Sequence, residues 1–470
     1  MRVSSISSLS FANDEVRLAP SFHVTADPEA LTTVARLEAA DTLTELCRPS
    51  GLFRGPIFRR VFAADPAFGR PYVTATDLEQ AELRPVASLS MLHGELLERL
   101  ELGEDTIVVS CSGVNLGKAF YVRPDMAGLI GSHDLIRIVP DETRVRPGYL
   151  FAYLDSRFGR SALRQVTHGG SVRHIEPHQI AELRIPRLGK TIESEIHDLV
   201  FAASRLLARH SARLEDATET IERATGLSAI ALDRWEEDPS RLGWSEHPTG
   251  FGSLRALNFD PRVKRIRHLL EQQSFDPLGE LCDADYFRGK NVFKREEASP
   301  DTGVLLLGQR AVFRLRPEGR FISRNSVERN RLQVPPGTVL IPSHGTLGAR
   351  ELYCRAIAVT PGMADFAYSG DFFRCVPLPH RVRPGFLYAF LRSRYAFRML
   401  RGLSSGGKQQ ELTAGRMAVL PVPRLPERQE AGVADDVDQA LAEFDEATDA
   451  LSQARALVER RIGSAARRPN

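Results

Sequence analysis

Two short stretches interleave basic residues with aromatics: Phe53-Arg-Gly-Pro-Ile-Phe-Arg-Arg60 and Phe287-Arg-Gly-Lys-Asn-Val-Phe-Lys-Arg295. Arginine and lysine pair with phosphate oxygens, and Arg, Lys, Asn and Gln can read base edges in a major groove. Arg54, Arg59, Arg60, Arg288, Lys290, Lys294 and Arg295 are therefore candidate nucleic-acid contacts. The competing reading is that the aromatics are core and the cations are merely solvated. Two glycine-rich loops offer a second set. Ser404-Ser-Gly-Gly-Lys-Gln-Gln410 stands before a predicted helix, and its glycines let the loop approach a backbone closely. Lys408 suits a phosphate there, and Gln409 or Gln410 an adenine edge. Thr167-His-Gly-Gly-Ser-Val-Arg173 offers His168, Ser171 and Arg173. Either loop reads equally well as a polar turn at a helix start. Lys118 and Arg350, each just after the second glycine of a strand-then-glycine motif, complete the set.

Other chemistries find less. His168, His174 and His178 invite a metal, but their counterparts in the repeat described below are Ser405, Glu411 and Gly415, so the shared scaffold needs none. Ser110-Cys-Ser-Gly-Val-Asn-Leu-Gly-Lys118 lacks the four-residue gap and the Ser/Thr after Lys of a phosphate loop. No glycine-rich cofactor loop follows a strand, and neither Asn-Pro-Pro nor Asp-Pro-Pro occurs. No catalytic residue and no cofactor is assigned.

The elements that must hold these residues come in duplicate. Arg144-Val-Arg-Pro-Gly-Tyr-Leu-Phe-Ala-Tyr-Leu-Asp-Ser-Arg-Phe158 returns as Arg381-Val-Arg-Pro-Gly-Phe-Leu-Tyr-Ala-Phe-Leu-Arg-Ser-Arg-Tyr395. At the same offset Gly169-Gly170 lies over Gly406-Gly407, and Ile185-Pro-Arg-Leu188 over Val422-Pro-Arg-Leu425. Nearby offsets align Phe53-Arg-Gly55 with Phe287-Arg-Gly289 and Phe58-Arg-Arg60 with Phe293-Lys-Arg295. The chain reads as a tandem duplication of one unit of about 235 residues.

Each unit is strand-rich, then helical. Predicted strands include Tyr72-Val-Thr-Ala-Thr76, Thr106-Ile-Val-Val-Ser110 and Leu135-Ile-Arg-Ile-Val139 in the first, and Val304-Leu-Leu-Leu307, Thr338-Val-Leu-Ile341, Leu352-Tyr-Cys354 and Phe372-Phe-Arg-Cys-Val376 in the second. The duplicated Arg-Pro-Gly segment predicts a helix, with Pro in its first turn. A long amphipathic helix follows each unit. Ile196, Leu199 and Leu206 in one, and Val437, Phe444 and Leu451 in the other, recur at the four-and-three spacing of a coiled-coil seam. Each helix of roughly 35 residues is about 50 Å long. The expected fold class is α+β: two tandem mixed α/β domains, with the two helices pairing antiparallel and a pseudo-two-fold axis between them. The expected domains are 1–190, a spacer helix at 191–226, a connector at 227–255, a second domain at 256–426 and a spacer helix at 427–465.

Composition narrows the class. At 470 residues the chain exceeds one core. The 5 cysteines are odd in number and form no CxxC, which argues against a disulfide scaffold and fits a reducing cytoplasm. No signal-peptide pattern or apolar run near 18 residues is seen, so no membrane partner is expected. Net charge is only +2, so global basicity does not advertise nucleic acid. Arginine far outnumbers lysine, a bias that suits bidentate readout and that a GC-rich genome would also produce.

In this order, twice over, these motifs resemble the DNA specificity (S) subunits of type I restriction–modification systems. The marks are Pro71-Tyr-Val-Thr-Ala-Thr-Asp-Leu78, Val109-Ser-Cys-Ser-Gly-Val-Asn-Leu-Gly117, the Gly-Gly loop with its Ile-Pro-x-Leu ending, and Leu420-Pro-Val-Pro-Arg-Leu-Pro-Glu-Arg-Gln429. The resemblance covers nearly the whole chain. It implies two target-recognition domains that read a bipartite double-stranded DNA site, with the helices docking two methyltransferase subunits and setting the gap. It implies a non-catalytic chain whose partners use S-adenosylmethionine, and a motor subunit that uses ATP. The first copy departs, with Leu188-Gly-Lys-Thr-Ile-Glu193 in place of the Pro-x-x-Gln lead-in. Divergence of the heads upstream of residue 132 implies an asymmetric target. Rival readings are an enzyme in its own right, a coiled-coil scaffold that binds only protein, and a specificity subunit of a methylation-only or phage-defence system.

Overall fold

The computed structural model describes residues 27–84, 87–167, 173–232, 235, 238–243, 255–289, 291–348 and 351–466. The chain is mixed α+β, built from several small sheets and many helices. It divides into two compact units, Met1–Ala208 with Glu446–Asn470, and Arg209–Asp445. The division runs through the middle of both long helices, Lys190–Ala224 and Glu427–Ala465.

In the first unit a four-stranded antiparallel sheet runs Cys47–Arg54, Leu135–Pro140, Ile107–Ser110, Ala119–Tyr121. A second sheet orders Ser88–Ser90, Gly69–Val73 and Ile130–Gly131, the last two parallel. The segment expected to be strand through Thr76 stops at Val73. Thr74 instead caps the short helix Ala75–Leu78, its side chain and N–H both meeting Asp77. Ala40–Thr42 pairs with Arg184–Pro186 just before the long helix.

The second unit repeats the plan. Val339–Pro342 lies between Ile357–Ala358 and Phe372–Cys375. Gly303–Leu307 lies between Arg320–Ser323 and a parallel Ala367–Tyr368. Phe275–Pro277 pairs with Pro421–Pro423. Leu352-Tyr-Cys354, expected as strand, is a turn: Cys354 has φ 69°, which no strand residue adopts, and pairing resumes at Ile357. Trp235, placed in the connector by sequence, is buried in this unit's core, with the Arg262 and Arg398 guanidiniums 4.4 and 4.8 Å from its ring.

The duplicated Arg-Pro-Gly segment forms two helices, not one: Pro147–Asp155 then Arg157–Gln165, and Pro384–Leu391 then Arg394–Gly402. The break falls at Ser156 and Ser393. Both leave the helical region, and their hydroxyls accept from Gly159 and Ala396 N–H at 3.3 and 3.1 Å. A serine that caps a new helix competes with continuation of the old one.

Two arginine devices recur at equivalent positions. Arg137 is almost fully buried and donates to the carbonyls of Leu100 (2.8 Å), Gly131 (3.0 Å) and Leu135 (2.8 Å). Arg374 does the same with Arg331 (2.6 Å) and Tyr368 (3.0 Å). Burial pushes both guanidiniums down to about 10, still cationic near neutrality. A buried cation survives because carbonyls replace its water. The second device joins strand to long helix. Arg187 meets Asp41 at 2.6 Å and grips Glu193 at 3.0 and 2.8 Å, while Leu188 N–H donates to Glu193 at 2.9 Å. Arg424 meets Asp276 at 2.6 Å and grips Glu430 at 2.8 and 2.8 Å, with Leu425 N–H donating at 2.8 Å. Both carboxylates sit in the first helical turn, where the helix dipole favours negative charge. Their hydrogen bonds raise both arginine pKa values.

Candidate nucleic-acid interface

In the first unit the strand Cys47–Arg54 ends on Phe53-Arg54, with Arg54 opposite Ile136. Arg54 is not free. Its Nε donates to the His133 carbonyl at 3.1 Å, and its other arm pairs with Glu176 at 2.6 Å. Glu176 caps the short helix that follows the glycine loop, so this ion pair ties the basic segment to the loop's exit. Beyond Gly55 the chain presents Ile57, 78% exposed, then Phe58 packed edge-on to His93, then exposed Arg59 and Arg60. His133, pressed beneath, has its pKa lowered, first by burial and further by Arg54 and Arg60, with Asp134 opposing. Lys118 is also committed inward, its ammonium meeting the buried Glu79 carboxylate. Arg173 is half-buried beside the bridge of Ser112 to His174. His168 and Ser171 lie outside the described residues.

The second unit gathers the same pieces more tightly. Phe287 stacks edge-on against Phe373, ring centres 4.7 Å apart. Gly289 is wedged so close that a Cβ would lie 2.8 Å from the Leu412 carbonyl and 3.0 Å from Phe373. Leu412 closes the glycine-loop region, which forms a small hairpin, Ser405–Gly406 against Gln410–Glu411, paired in turn with His344–Gly345. The basic segment, the strand-glycine motif and the glycine loop thus meet at one place. Gly406 has φ 92°, a turn geometry suited to glycine. Lys408 and Gln409 are exposed at the hairpin tip, and Arg288, Lys294 and Arg295 are exposed as well. Gln410 is 4% exposed, its amide oxygen held by Arg255 at 2.8 Å, which corrects its expected place as an adenine reader. Lys290 and Arg350 lie outside the described residues.

Sequence reasoning missed the groups that brace this hairpin. Arg255, Asn258 and Arg416 all donate to the Ser404 carbonyl, at 3.0, 3.0 and 2.9 Å. Tyr353 reaches the Ser404 hydroxyl at 2.8 Å, and Arg401 holds the carbonyls of Leu347 and Gly348 at 2.6 and 2.9 Å. Burial, reinforced by the Arg255 charge, lowers the pKa of Arg416. No local pattern announces these clamps, because their acceptors are backbone atoms far along the chain. Among the described residues no cluster of His, Cys, Asp or Glu could hold a metal, and no helix is long and apolar enough to cross a membrane.

On the helices, Ile196 and Val437 are fully buried, and Leu206, Leu451 and Phe444 nearly so. Leu199 is only half-buried, at an open cleft of about 510 Å³ in the first unit between Glu195 and Leu199 on one side and Asp449, Gln453, Leu457 and Arg460 on the other. In the second unit the buried His210 Nδ1 lies 2.8 Å from the Ala440 carbonyl, and its ring 5.2 Å from Phe444. Arg209 and Arg213 both reach Glu443, at 3.0 and 3.3 Å.

No family model matches the chain, and no curated protein sequence does. Among solved structures it is similar to the type I restriction–modification S subunit from M. genitalium, with 14% identity over 90% of this chain and 95% of that one, TM-score 0.32. It is similar to the HsdS subunit from Thermoanaerobacter tengcongensis, with 18% identity, 90% and 96% coverage and TM-score 0.28. A chain of the type I R-M system, from work on its complex assembly and conformational transition, shares 16% identity, with 91% and 97% coverage and TM-score 0.26.

Proposed function

We propose that this chain is the sequence-specific DNA-recognition subunit of a type I restriction–modification complex. Each unit reads one half-site of a bipartite, asymmetric duplex target. The observation that carries the reading is the convergence in the second unit of the basic segment, the strand-glycine motif and the glycine hairpin, with Arg288, Lys294, Arg295, Lys408 and Gln409 each exposed. In the first unit Arg59, Arg60 and Arg173 serve the same end. Arg54, Lys118 and Gln410 hold the scaffold instead. Cations position the phosphate backbone, and the amide reads a base edge.

The two long helices act as an antiparallel spacer and as the seat of two methyltransferase subunits, which carry S-adenosylmethionine; a motor subunit carries ATP. The chain itself is non-catalytic. Support comes from the buried seam residues and from the partition that gives each unit one half of each helix. The test is to sequence methylated adenines in the genome of a host carrying and lacking the gene. A gapped, asymmetric motif that vanishes with the gene is expected; an unchanged methylation pattern rejects the reading in favour of a protein-binding scaffold. Removing one heptad from each helix shortens the spacer by about 10 Å, so the gap contracts by roughly three base pairs while both half-sites persist.

A further inference from the structure

Both units carry an apolar side chain thrust into solvent at the same point of the repeat. Ile57 is 78% exposed and Val292 is 82% exposed. Each is followed by a phenylalanine that turns inward: Phe58 packs on the cluster of Tyr72, Leu89 and Leu97, and Phe293 on that of Val304, Ile322 and Val327. Each phenylalanine is followed by two exposed cations, Arg59-Arg60 and Lys294-Arg295. Among the described residues none of these four side chains has an ion pair or hydrogen bond. Each tip is held rigid from the N-terminal side, by Pro56 in one case. In the other, Asn291 donates its N–H to Gly370 at 3.1 Å and its amide to Asn330 at 2.9 Å.

An exposed β-branched residue on a rigid support has a stiff χ1 and gains nothing from water. Its recurrence in two heads whose surrounding loops have diverged argues for a retained task. The unpaired cations beside each tip fit a polyanion, and the apolar group that a DNA groove offers is the thymine methyl. We infer that Ile57 and Val292 are specificity-determining tips that pack on a thymine 5-methyl in their respective half-sites, while the adjoining cation pairs grip phosphates. The inference rests on the DNA-recognition reading above.

The test uses the complete complex with its methyltransferase subunits and duplexes carrying the gapped motif, with each thymine replaced in turn by uracil, which lacks only the methyl. Wild-type affinity should fall about threefold to tenfold at one thymine in each half-site. Ile57→Ala should lose as much on the unmodified duplex and become indifferent to uracil in the first half-site, yet stay sensitive in the second. Val292→Ala should show the reverse. Both tips are solvent-exposed, so unchanged melting temperatures are expected to accompany these shifts. Wild type indifferent to every uracil overturns the inference while leaving DNA recognition intact. So does an Ile57→Ala complex that keeps its uracil sensitivity, or whose assembly without DNA is weakened. A complex that binds no gapped duplex takes down the parent reading and the tips with it.

Discussion

The two units agree most closely at two pairs of inward-facing arginines and differ at other charged positions, buried and exposed alike. Arg137 and Arg374 capture equivalent carbonyls, Gly131 and Tyr368, and Arg187 and Arg424 grip equivalent acids with nearly identical distances. Elsewhere the same aligned position has changed its chemistry. Asp155 pairs with Arg160 at 2.9 Å inside the first unit, whereas its counterpart Arg392 donates to the Leu214 carbonyl and the Thr218 hydroxyl of the long helix. Arg54 is locked to Glu176, whereas the position aligned with Glu176 in the second unit is Thr413, and Arg288 is exposed. A frame that buries charge drifts only where the partners change with it, as between Asp155 and Arg392, because each missing partner strands a polar group. A solvated cation has no such constraint, so readout can diverge while the frame stays.

The comparison breaks most visibly at the buried guanidiniums. Arg137→Leu and Arg374→Leu should each destabilise their own unit by about 3 kcal/mol, through stranded carbonyls. Hydrogen exchange resolved by unit checks this, and a silent Arg374→Leu would show that the two arginines are not equivalent. Next come Arg187→Ala and Arg424→Ala, at about 2 kcal/mol each, because Glu193 and Glu430 lose their fork and remain largely buried. Denaturant midpoints should fall by similar amounts in both variants.

A smaller effect separates the units by pH. Burial, and then the charge of Glu215, push the Glu222 carboxyl of the second unit up to about 7. The folded chain therefore holds this proton more tightly than the unfolded one. That stabilisation is complete below the ordinary carboxylate range and is lost as pH rises through 7. Glu222→Gln should gain about 1 kcal/mol at pH 8, after discounting for solvent, and nothing near pH 4. Melting temperatures across that range decide it. Smallest of all is Thr413→Glu, which copies the Glu176 arrangement. Drawing Arg288 into an ion pair should weaken DNA binding only about threefold, with stability changed by less than about 0.5 kcal/mol. Affinity of the assembled complex measures it.

Elements with a sustained period were readable in the amino-acid pattern. The long helices begin and end close to where their apolar seams do, and six of the seven strand runs named above hold at least in part. Leu352-Tyr-Cys354 failed because strand-forming residue types do not reveal a positive φ at Cys354. The helix break at Ser156 and Ser393 was written in the serines but hidden by continuing apolar spacing. The site was only partly legible. The segments were identified, but which cation is free depends on partners far along the chain. Arg54 meets an acid 122 positions away, Lys118 one 39 away, and Gln410 an arginine 155 away. The doubled Arg-Leu-x4-Glu spacing of Arg187 to Glu193 and Arg424 to Glu430 was visible, and could have announced the helix clamps.

The first unit is discontinuous in sequence, since it includes Glu446–Asn470 as well as Met1–Ala208. During translation its N-terminal portion must wait for the whole intervening unit, roughly ten to fifty seconds of ribosome time, before Leu451, Val458 and Ile462 arrive to cover it. The later-made unit can therefore mature before the earlier one. A premature stop after Asp445 would cripple the beginning of the polypeptide and spare the part beside the stop.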